Sequence, residues 1–363
     1  MNSNHKTIEI KSINGDYLAA FHSNQESLLD SIKNISDPYF VVDSALPDIY
    51  SDFFLQIPRE RVFEVVSDEK TKSLSTVESI SEWLIDRGAS KSSHLIGIGG
   101  GVVQDLSTFV SHVFYRGIKW TFVPTTLLSQ SDSCIGAKCA LNIQGHKNQI
   151  GVIHTPCAIE IYPGFLNSLP YSEIQSGYGE IAKLAVTGSK QFLVEFEDHL
   201  SKYGMTLQGI QPMIEMSLLA KKDIIDLDEY ETGLRRVLNY GHSFGHALES
   251  LTNNNIVHGD AVIIGMELIN HLGLKWGITD LDFKVRMQSL FDANFSHITI
   301  KQNISASEWV HELNKDKKMK NGRMNFAIPV SQGNIRIVER NLDSDLVNLV
   351  GEYINGSPRF HTT

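Results

Sequence analysis

Two histidines stand four residues apart in Asn239-Tyr-Gly-His242-Ser-Phe-Gly-His246, and a third follows in His258-Gly-Asp. On a helix, positions i and i+4 share a face, so His242 and His246 could address one pocket while His258 reaches it from the next element. Converging imidazoles of this kind are what a metal site looks like in sequence. The same spacing also suits a polar helix face that buries a hydrogen-bonded histidine.

A second signal is Gly99-Gly100-Gly101-Val102-Val-Gln-Asp105, which follows the strand-like run His94–Ile98 and opens a helix-like stretch. Consecutive glycines let backbone amides approach a pyrophosphate at a helix N-terminus, where the dipole favours negative charge. The strict G-x-G-x-x-G spacing is absent, and glycine turns also serve simply to pack helix on strand. Further on, Asp132-Ser-Cys-Ile-Gly-Ala-Lys138 and Gly145-His-Lys147-Asn148 put two lysines and an amide in a loop-rich stretch. That stretch reads either as a phosphate cradle or as a solvated loop. Glu180 and Lys183, three apart on a helix, read on spacing alone as a modest surface ion pair.

These residues need elements to hold them. Tyr39–Val42, Val62–Val66, His94–Ile98, Trp120–Val123 and Ala158–Ile161 are β-branched or aromatic runs, and helix-period stretches such as Ser73–Asp86 fall between them. Such alternation predicts a parallel sheet with covering helices, an α/β Rossmann-like nucleotide-binding domain over residues 1–170. After Pro170 the texture changes to long amphipathic stretches, Tyr171–Thr187, Met213–Asp228 and Ala261–Trp276 among them. A mainly helical domain over residues 171–363 is expected, with a late hairpin of Met324–Val330 and Asn334–Val338 around Gln332-Gly333 and the active site in a cleft between the domains.

Composition removes other classes. With 32 basic against 42 acidic side chains the net charge is −10, which offers no broad footprint for nucleic acid. No apolar run approaches the roughly 18 residues of a membrane span. The three cysteines, Cys134, Cys139 and Cys157, lack CxxC spacing, and the start Met1-Asn-Ser-Asn-His-Lys6 carries no apolar secretory segment, so a reduced cytoplasm is the expected compartment.

Taken together, these segments resemble the 3-dehydroquinate synthase family, a branch of the sugar phosphate cyclases. The matching stretches run in order: GGGVVQD at Gly99–Asp105, YRG at Tyr115–Gly117, VPTTLL at Val123–Leu128, DSCIGAK and GHKN as quoted, GYGEIAK at Gly177–Lys183, GLRRVLNYGHSFGHALE at Gly233–Glu249, HGDAV at His258–Val262 and DKK at Asp316–Lys318. One such motif is weak evidence; nine in order over nearly the whole chain are specific.

The resemblance implies an NAD- and metal-dependent cyclisation of a phosphorylated keto-sugar acid, with transient oxidation, phosphate elimination, re-reduction and an intramolecular aldol step. By position, Glu180, His242 and His258 look like the metal ligands, for zinc with cobalt as the alternative, and His246 like the family's non-ligand histidine. Lys138, Asn148, Asn239, His246 and a lysine of the DKK segment, Lys317, match the phosphate positions. Arg116, Lys147, Asp132 and Lys183 match further active-site positions, the last two on the hydroxyl side, while Lys221 and Arg235 match those that hold a substrate carboxylate. For NAD the matched positions are Asp43, Glu69, Lys72, Gly99, Gly100, Gly101, Val102, Asp105, Thr125, Thr126, Phe165 and Ser168. A homodimer is the family's expectation.

Two departures bear on the substrate. The family's shikimate-pathway synthases commonly read GGKT and LGKN where this chain reads Gly136-Ala-Lys-Cys139 and Gly145-His-Lys-Asn148, which look more like 2-epi-5-epi-valiolone synthases. Against that, Asn239 and His246 are kept, and Arg235 stands where 2-deoxy-scyllo-inosose synthases usually lose it. A carboxylate partner is wasted on a carboxylate-free sugar, so the dehydroquinate reaction is expected. The alternatives are a related cyclase on another keto-sugar phosphate, a metal-dependent polyol dehydrogenase, and a silent protein that inherited the fold.

Overall fold

The computed structural model describes residues 6–144, 146–253, 255–315 and 322–360. The chain folds as two compact units, Met1–Pro170 and Tyr171–Thr363.

Among the described residues the first unit supplies nine strands: β1 (Thr7–Ile10), β2 (Tyr17–Phe21), β3 (Pro38–Asp43), β4 (Val62–Val65), β5 (His94–Gly99), β6 (Lys119–Pro124), β7 (Lys138–Ile143), β8 (His146–Ile153) and β9 (Ala158–Ile161). Seven form one sheet in the order β1-β2-β9-β6-β5-β3-β4, with β1 antiparallel at the edge and every other pairing parallel. All six residues of β5 are buried, and five of six in β6, the near-continuous apolar run of a strand covered on both faces. Ile96, Ile98, Phe40 and Val42 pack with Leu28, Leu29 and Ile32 of the helix Gln25–Lys33 and with Phe53 and Phe165. The chain leaves β3 toward β4 at one edge and leaves β5 toward β6 on the other side. The carboxyl ends of β3 and β5 therefore flank a topological switch point, where open α/β sheets bind ligands.

The stretch read as loop-rich is not a loop. After a single π-type turn, Ser129–Ser133, strands β7 and β8 form an antiparallel hairpin with a register shift between Leu141 and Ile143. Its alternation is short: Cys139 and Leu141 turn inward, while Lys138, Ala140 and Asn142 are half-buried.

The second unit is mainly helical, with the hairpin β10 (Arg323–Ser331) and β11 (Asn334–Asn341) turning at Gln332-Gly333. Its central helix, His258–Lys275, is buried from Gly259 through Asn270. Glu267 on that helix accepts from Arg359 Nη2 at 2.8 Å and from the Tyr353 hydroxyl at 2.8 Å, which ties down the last described residues. Among the described residues no helix is long and apolar enough to cross a membrane.

Candidate metal and cofactor centres

Three helices of the second unit, Tyr171–Thr187, His242–Leu251 and His258–Lys275, meet at glycines. A Cβ on Gly179 would stand 2.4 Å from the Gly259 carbonyl oxygen, and one on Gly259 would stand 1.9 Å from that of Ser176. Only hydrogen fits at this crossing, and its tightness brings Glu180, the neighbour of Gly179, against His258, the neighbour of Gly259. His242 enters directly after Gly241, which holds φ +78°, a backbone conformation that L side chains rarely adopt.

Oε1 of Glu180 is the shared partner, 2.9 Å from His258 Nε2 and 3.2 Å from His242 Nε2. Zinc–donor bonds of about 2.0–2.1 Å set neighbouring donor atoms about 2.9–3.4 Å apart, so each imidazole nitrogen stands at ligand spacing from Oε1. Each imidazole is held from behind, His242 Nδ1 by the Tyr240 carbonyl at 3.3 Å and His258 Nδ1 by Glu249 Oε1 at 3.4 Å. Partners of this kind fix the tautomer that presents Nε2 to a metal. The Lys183 ammonium takes the other oxygen, Oε2.

Burial alone would raise the Glu180 carboxyl, but Lys183 and His242 outweigh it and hold it well below the usual carboxylate range. Burial works against a charged His258, yet Glu180 and Glu249 push it up to about 10. The donor set fits a divalent metal. His246 is close as well: one ligand atom each of His242, His246 and His258 lies within 4.8 Å of the others, and its ring centre is 5.3 Å from that of His242. His246 is the exposed member of the three.

The Glu180–Lys183 pair corrects the spacing argument. It is not on the surface: the two side chains are 1% and 3% exposed, because Ser176–Thr187 is buried on every face of its helix. Elsewhere in this unit, Lys221 lies buried on the helix Ile210–Leu227, and Arg235 and Asn239 lie on the 3₁₀ turn Leu234–Asn239. Asp228 gathers the N–H groups of Thr232, Gly233 and Arg235 at 2.8–2.9 Å and so shapes the loop before Arg235. Asn239 Nδ2 donates to Glu231 Oε1 at 2.7 Å, and the Arg235 guanidinium donates to the Glu229 carbonyl. Lys317 lies outside the described residues.

In the first unit the NAD-type residues collect at the carboxyl ends of the strands. Asp43 ends β3, Gly99 ends β5, Thr125 and Thr126 follow β6, and Phe165 and Ser168 follow β9. The glycines differ in purpose. A Cβ on Gly99 would meet Val103 at 2.6 Å and one on Gly100 would meet Thr126 at 2.9 Å, whereas one on Gly101 would meet nothing within 4 Å. The first two are packing glycines; the third opens space before the N-terminus of the helix Gly101–Val113, a fit for a pyrophosphate. Val102 is half-buried on the same first turn.

Five of the matched NAD positions are structurally engaged. The Phe165 ring is fully buried and packs edge-on against Tyr50, 5.0 Å between centres, so it shapes the floor and does not face a ligand. Lys72 Nζ lies 2.8 Å from Asp105 Oδ2, an ion pair whose lysine is only 7% exposed. Glu69 accepts from Asn142 Nδ2 at 2.8 Å, and Ser168 accepts from the Tyr50 hydroxyl at 2.9 Å. Arg116 sits on a left-handed turn, Tyr115 and Arg116 at φ 48° and 61°. Asp132 is buried in the π-type turn, Lys138 opens β7, and Lys147 and Asn148 are exposed on β8.

A doubly wound sheet with a glycine turn at its switch point, followed in the chain by a helical unit that converges one carboxylate and two imidazoles, defines an α/β-plus-α enzyme class with nucleotide and metal centres. Residues 62–176 match the model of the 3-dehydroquinate synthase N-terminal domain and residues 177–319 that of the C-terminal domain. A 3-dehydroquinate synthase of Dictyoglomus turgidum is 35% identical over 319 residues, 87% of this chain and 89% of that one. The chain belongs to the 3-dehydroquinate synthase family, and with it to the phosphate-eliminating lyases. In fold it is similar to a 2-deoxy-scyllo-inosose synthase solved with carbaglucose-6-phosphate, NAD+ and Co2+ (TM-score 0.85, 22% identity, 96% of this chain and 99% of that one). It is also similar to the 2-epi-5-epi-valiolone synthase of Streptomyces hygroscopicus solved with NAD+ and Zn2+ (TM-score 0.81, 21% identity, 94% and 96%).

Proposed function

We propose that this protein converts 3-deoxy-D-arabino-heptulosonate 7-phosphate to 3-dehydroquinate with release of phosphate, using NAD and a divalent metal, zinc or cobalt. The observation that carries the reading is the Glu180 Oε1 atom shared by His242 and His258, each imidazole pinned from behind, in a chain of this family. Glu180, His242 and His258 would hold the metal, which when bound supplies Lewis acidity that lowers the pKa of a substrate hydroxyl. Gly99, Gly100 and Gly101 would hold NAD, which when bound would supply a reversible hydride acceptor with no net redox change.

The remaining roles fall to the chain itself. Lys138, Asn148, Asn239, His246 and Lys317 bind the phosphate, with Arg116 and Lys147 adding positive charge; lysine supplies a compact three-donor cation for this. Asp132 and Lys183 serve the hydroxyl side, where Lys183 also keeps Glu180 ionised. Lys221 and Arg235 bind the substrate carboxylate, the guanidinium matching a planar anion. The family resemblance further supports a cytoplasmic homodimer, and the substrate is a small phosphorylated keto-sugar acid.

A second reading has one observation in its favour. Ala137 and His146 stand where shikimate-pathway relatives carry other residues, so a keto-sugar phosphate such as sedoheptulose 7-phosphate is the competing substrate. The test is phosphate release from 3-deoxy-D-arabino-heptulosonate 7-phosphate by the purified protein with NAD and zinc, while absorbance reports NADH. Phosphate with dehydroquinate and no NADH is expected. Stoichiometric NADH without phosphate would replace the reading with a polyol dehydrogenase, and turnover of sedoheptulose 7-phosphate alone would replace the substrate.

A further inference from the structure

Asn142 on β7 has none of the roles given above, yet it joins two segments that do. Its side-chain Nδ2 donates to Glu69 Oε1 at 2.8 Å and to the Glu69 carbonyl at 2.9 Å. Its backbone N–H donates to the Lys72 carbonyl at 2.8 Å, and its Oδ1 accepts from the Asn148 N–H at 2.9 Å. Asn148 holds φ 56°, a left-handed conformation that asparagine tolerates but that costs energy without a fixed partner. The same hairpin is pinned once more where the Ala140 N–H donates to Asp105 Oδ1 at 3.1 Å, the other oxygen of that carboxylate pairing with Lys72. One amide therefore connects the Glu69–Lys72 segment to the backbone of Asn148.

We propose that Asn142 is a positioning residue that couples cofactor binding to phosphate binding; this rests on the reading above, which gives Glu69 and Lys72 to NAD and Asn148 to phosphate. A ligand that orders Glu69 also orders the Asn142 amide, and with it the strained Asn148 turn. The second ligand then binds to a hairpin already fixed, so each ligand strengthens the other by the same factor.

The experiment is calorimetric titration of the zinc-loaded full chain with NAD, with and without inorganic phosphate, and the reciprocal titration. In the wild type, phosphate is expected to tighten NAD about tenfold. Asn142→Ala is expected to bring that ratio to about one while both ligands still bind. The double variant Asn142→Asp/Glu69→Gln reverses donor and acceptor between the two side chains and leaves an acceptor for the Asn148 N–H. It should recover part of the ratio, which mere loss of packing would not allow. If Asn142→Ala fails to fold, Asn142→Asp alone sets two carboxylates against each other and should lose the ratio. A ratio kept in these single variants, or a wild type that binds both ligands independently, overturns the coupling and leaves the functional reading intact. A wild type that binds no NAD overturns both.

Discussion

Lys72 Nζ and Asp105 Oδ2 are 2.8 Å apart, with the two side chains 9% and 18% exposed. Removing one partner leaves a buried charge uncompensated, which typically costs about 3–5 kcal/mol, whereas replacing both with apolar groups is often neutral. Asp105→Ala is therefore expected to lower unfolding stability by about 3 kcal/mol, and Lys72→Met/Asp105→Leu to recover most of it without recovering NAD affinity. Urea unfolding beside NAD titration checks both; full recovery of NAD binding in the double variant would show that neither side chain serves the cofactor.

The metal set can be separated from its neighbour. Two combinations share His242 and His258 and differ in whether Glu180 or His246 completes the set. With Glu180 as ligand, Glu180→Ala abolishes stoichiometric zinc, while His246→Ala keeps it and loses turnover. Glu249→Ala, which releases His258 Nδ1, should weaken zinc about 10–100-fold. Zinc content after dialysis decides, and a zinc-free His246→Ala protein would assign the third ligand to His246.

His94 gives the fold an acid sensitivity. Its ring is buried with Nε2 2.9 Å from the Thr121 hydroxyl, and burial, aided by the Lys119 charge, pushes it from the ordinary 6.5 down to about 4. Between those values the unfolded chain binds a proton that the folded chain refuses. The stability is therefore whole above pH 6.5 and drains as pH falls toward 4, by about 3 kcal/mol for a shift of this size. Comparing wild type with His94→Gln at pH 7 and 4.5 isolates this group from the carboxylates; identical losses in both proteins would sink the assignment.

Ala137 carries a backbone cost. It sits at φ 54°, in the left-handed region, directly before Lys138, at a position where the family's shikimate-pathway synthases carry glycine. A non-glycine residue there costs about 1–2 kcal/mol. Ala137→Gly is expected to raise stability by about 1 kcal/mol, the gain reduced by the extra freedom of glycine in the unfolded chain. A melting temperature lowered by the change would mean that the Ala137 methyl, buried at 7% exposure, contributes more by packing than the strain removes.

What could be read in advance divides along physical lines. Strands β3, β5, β6 and β9 were legible because a parallel strand buried on both faces leaves a near-continuous apolar run, as Leu95, Ile96 and Ile98 do in β5. Strand β7 was not, because only Cys139 and Leu141 face inward and polar residues flank them. The His242–His246 spacing marked a site, but no spacing could join His258 to Glu180, 78 residues away in sequence. That contact depends on how closely Gly179 approaches Gly259, a packing fact. Glu249 and Asn142 went unread for the same reason, since their roles exist only in their partners.

The substrate carboxylate is the last distinction, and Arg235 tests it. The residue is 5% exposed, its N–H donates to Asp228 Oδ2 at 2.9 Å, and its guanidinium reaches the Glu229 carbonyl. Burial slightly opposes ionisation of Asp228, but the amides of Arg235, Gly233 and Thr232 outweigh it and hold the carboxyl at about 2. The loop is therefore fixed throughout the neutral range. If Arg235 binds a carboxylate, Arg235→Met should lower kcat/KM for 3-deoxy-D-arabino-heptulosonate 7-phosphate by about 100-fold or more, the cost of losing a charge-assisted pair in a closed site. Activity on a carboxylate-free keto-sugar phosphate should stay within about threefold. Asp228→Asn, which leaves the guanidinium in place but loosens its loop, should raise KM with a smaller change in kcat and leave NAD affinity unchanged. Equal losses on both substrates with Arg235→Met would make Arg235 a structural residue and return sedoheptulose 7-phosphate to the front.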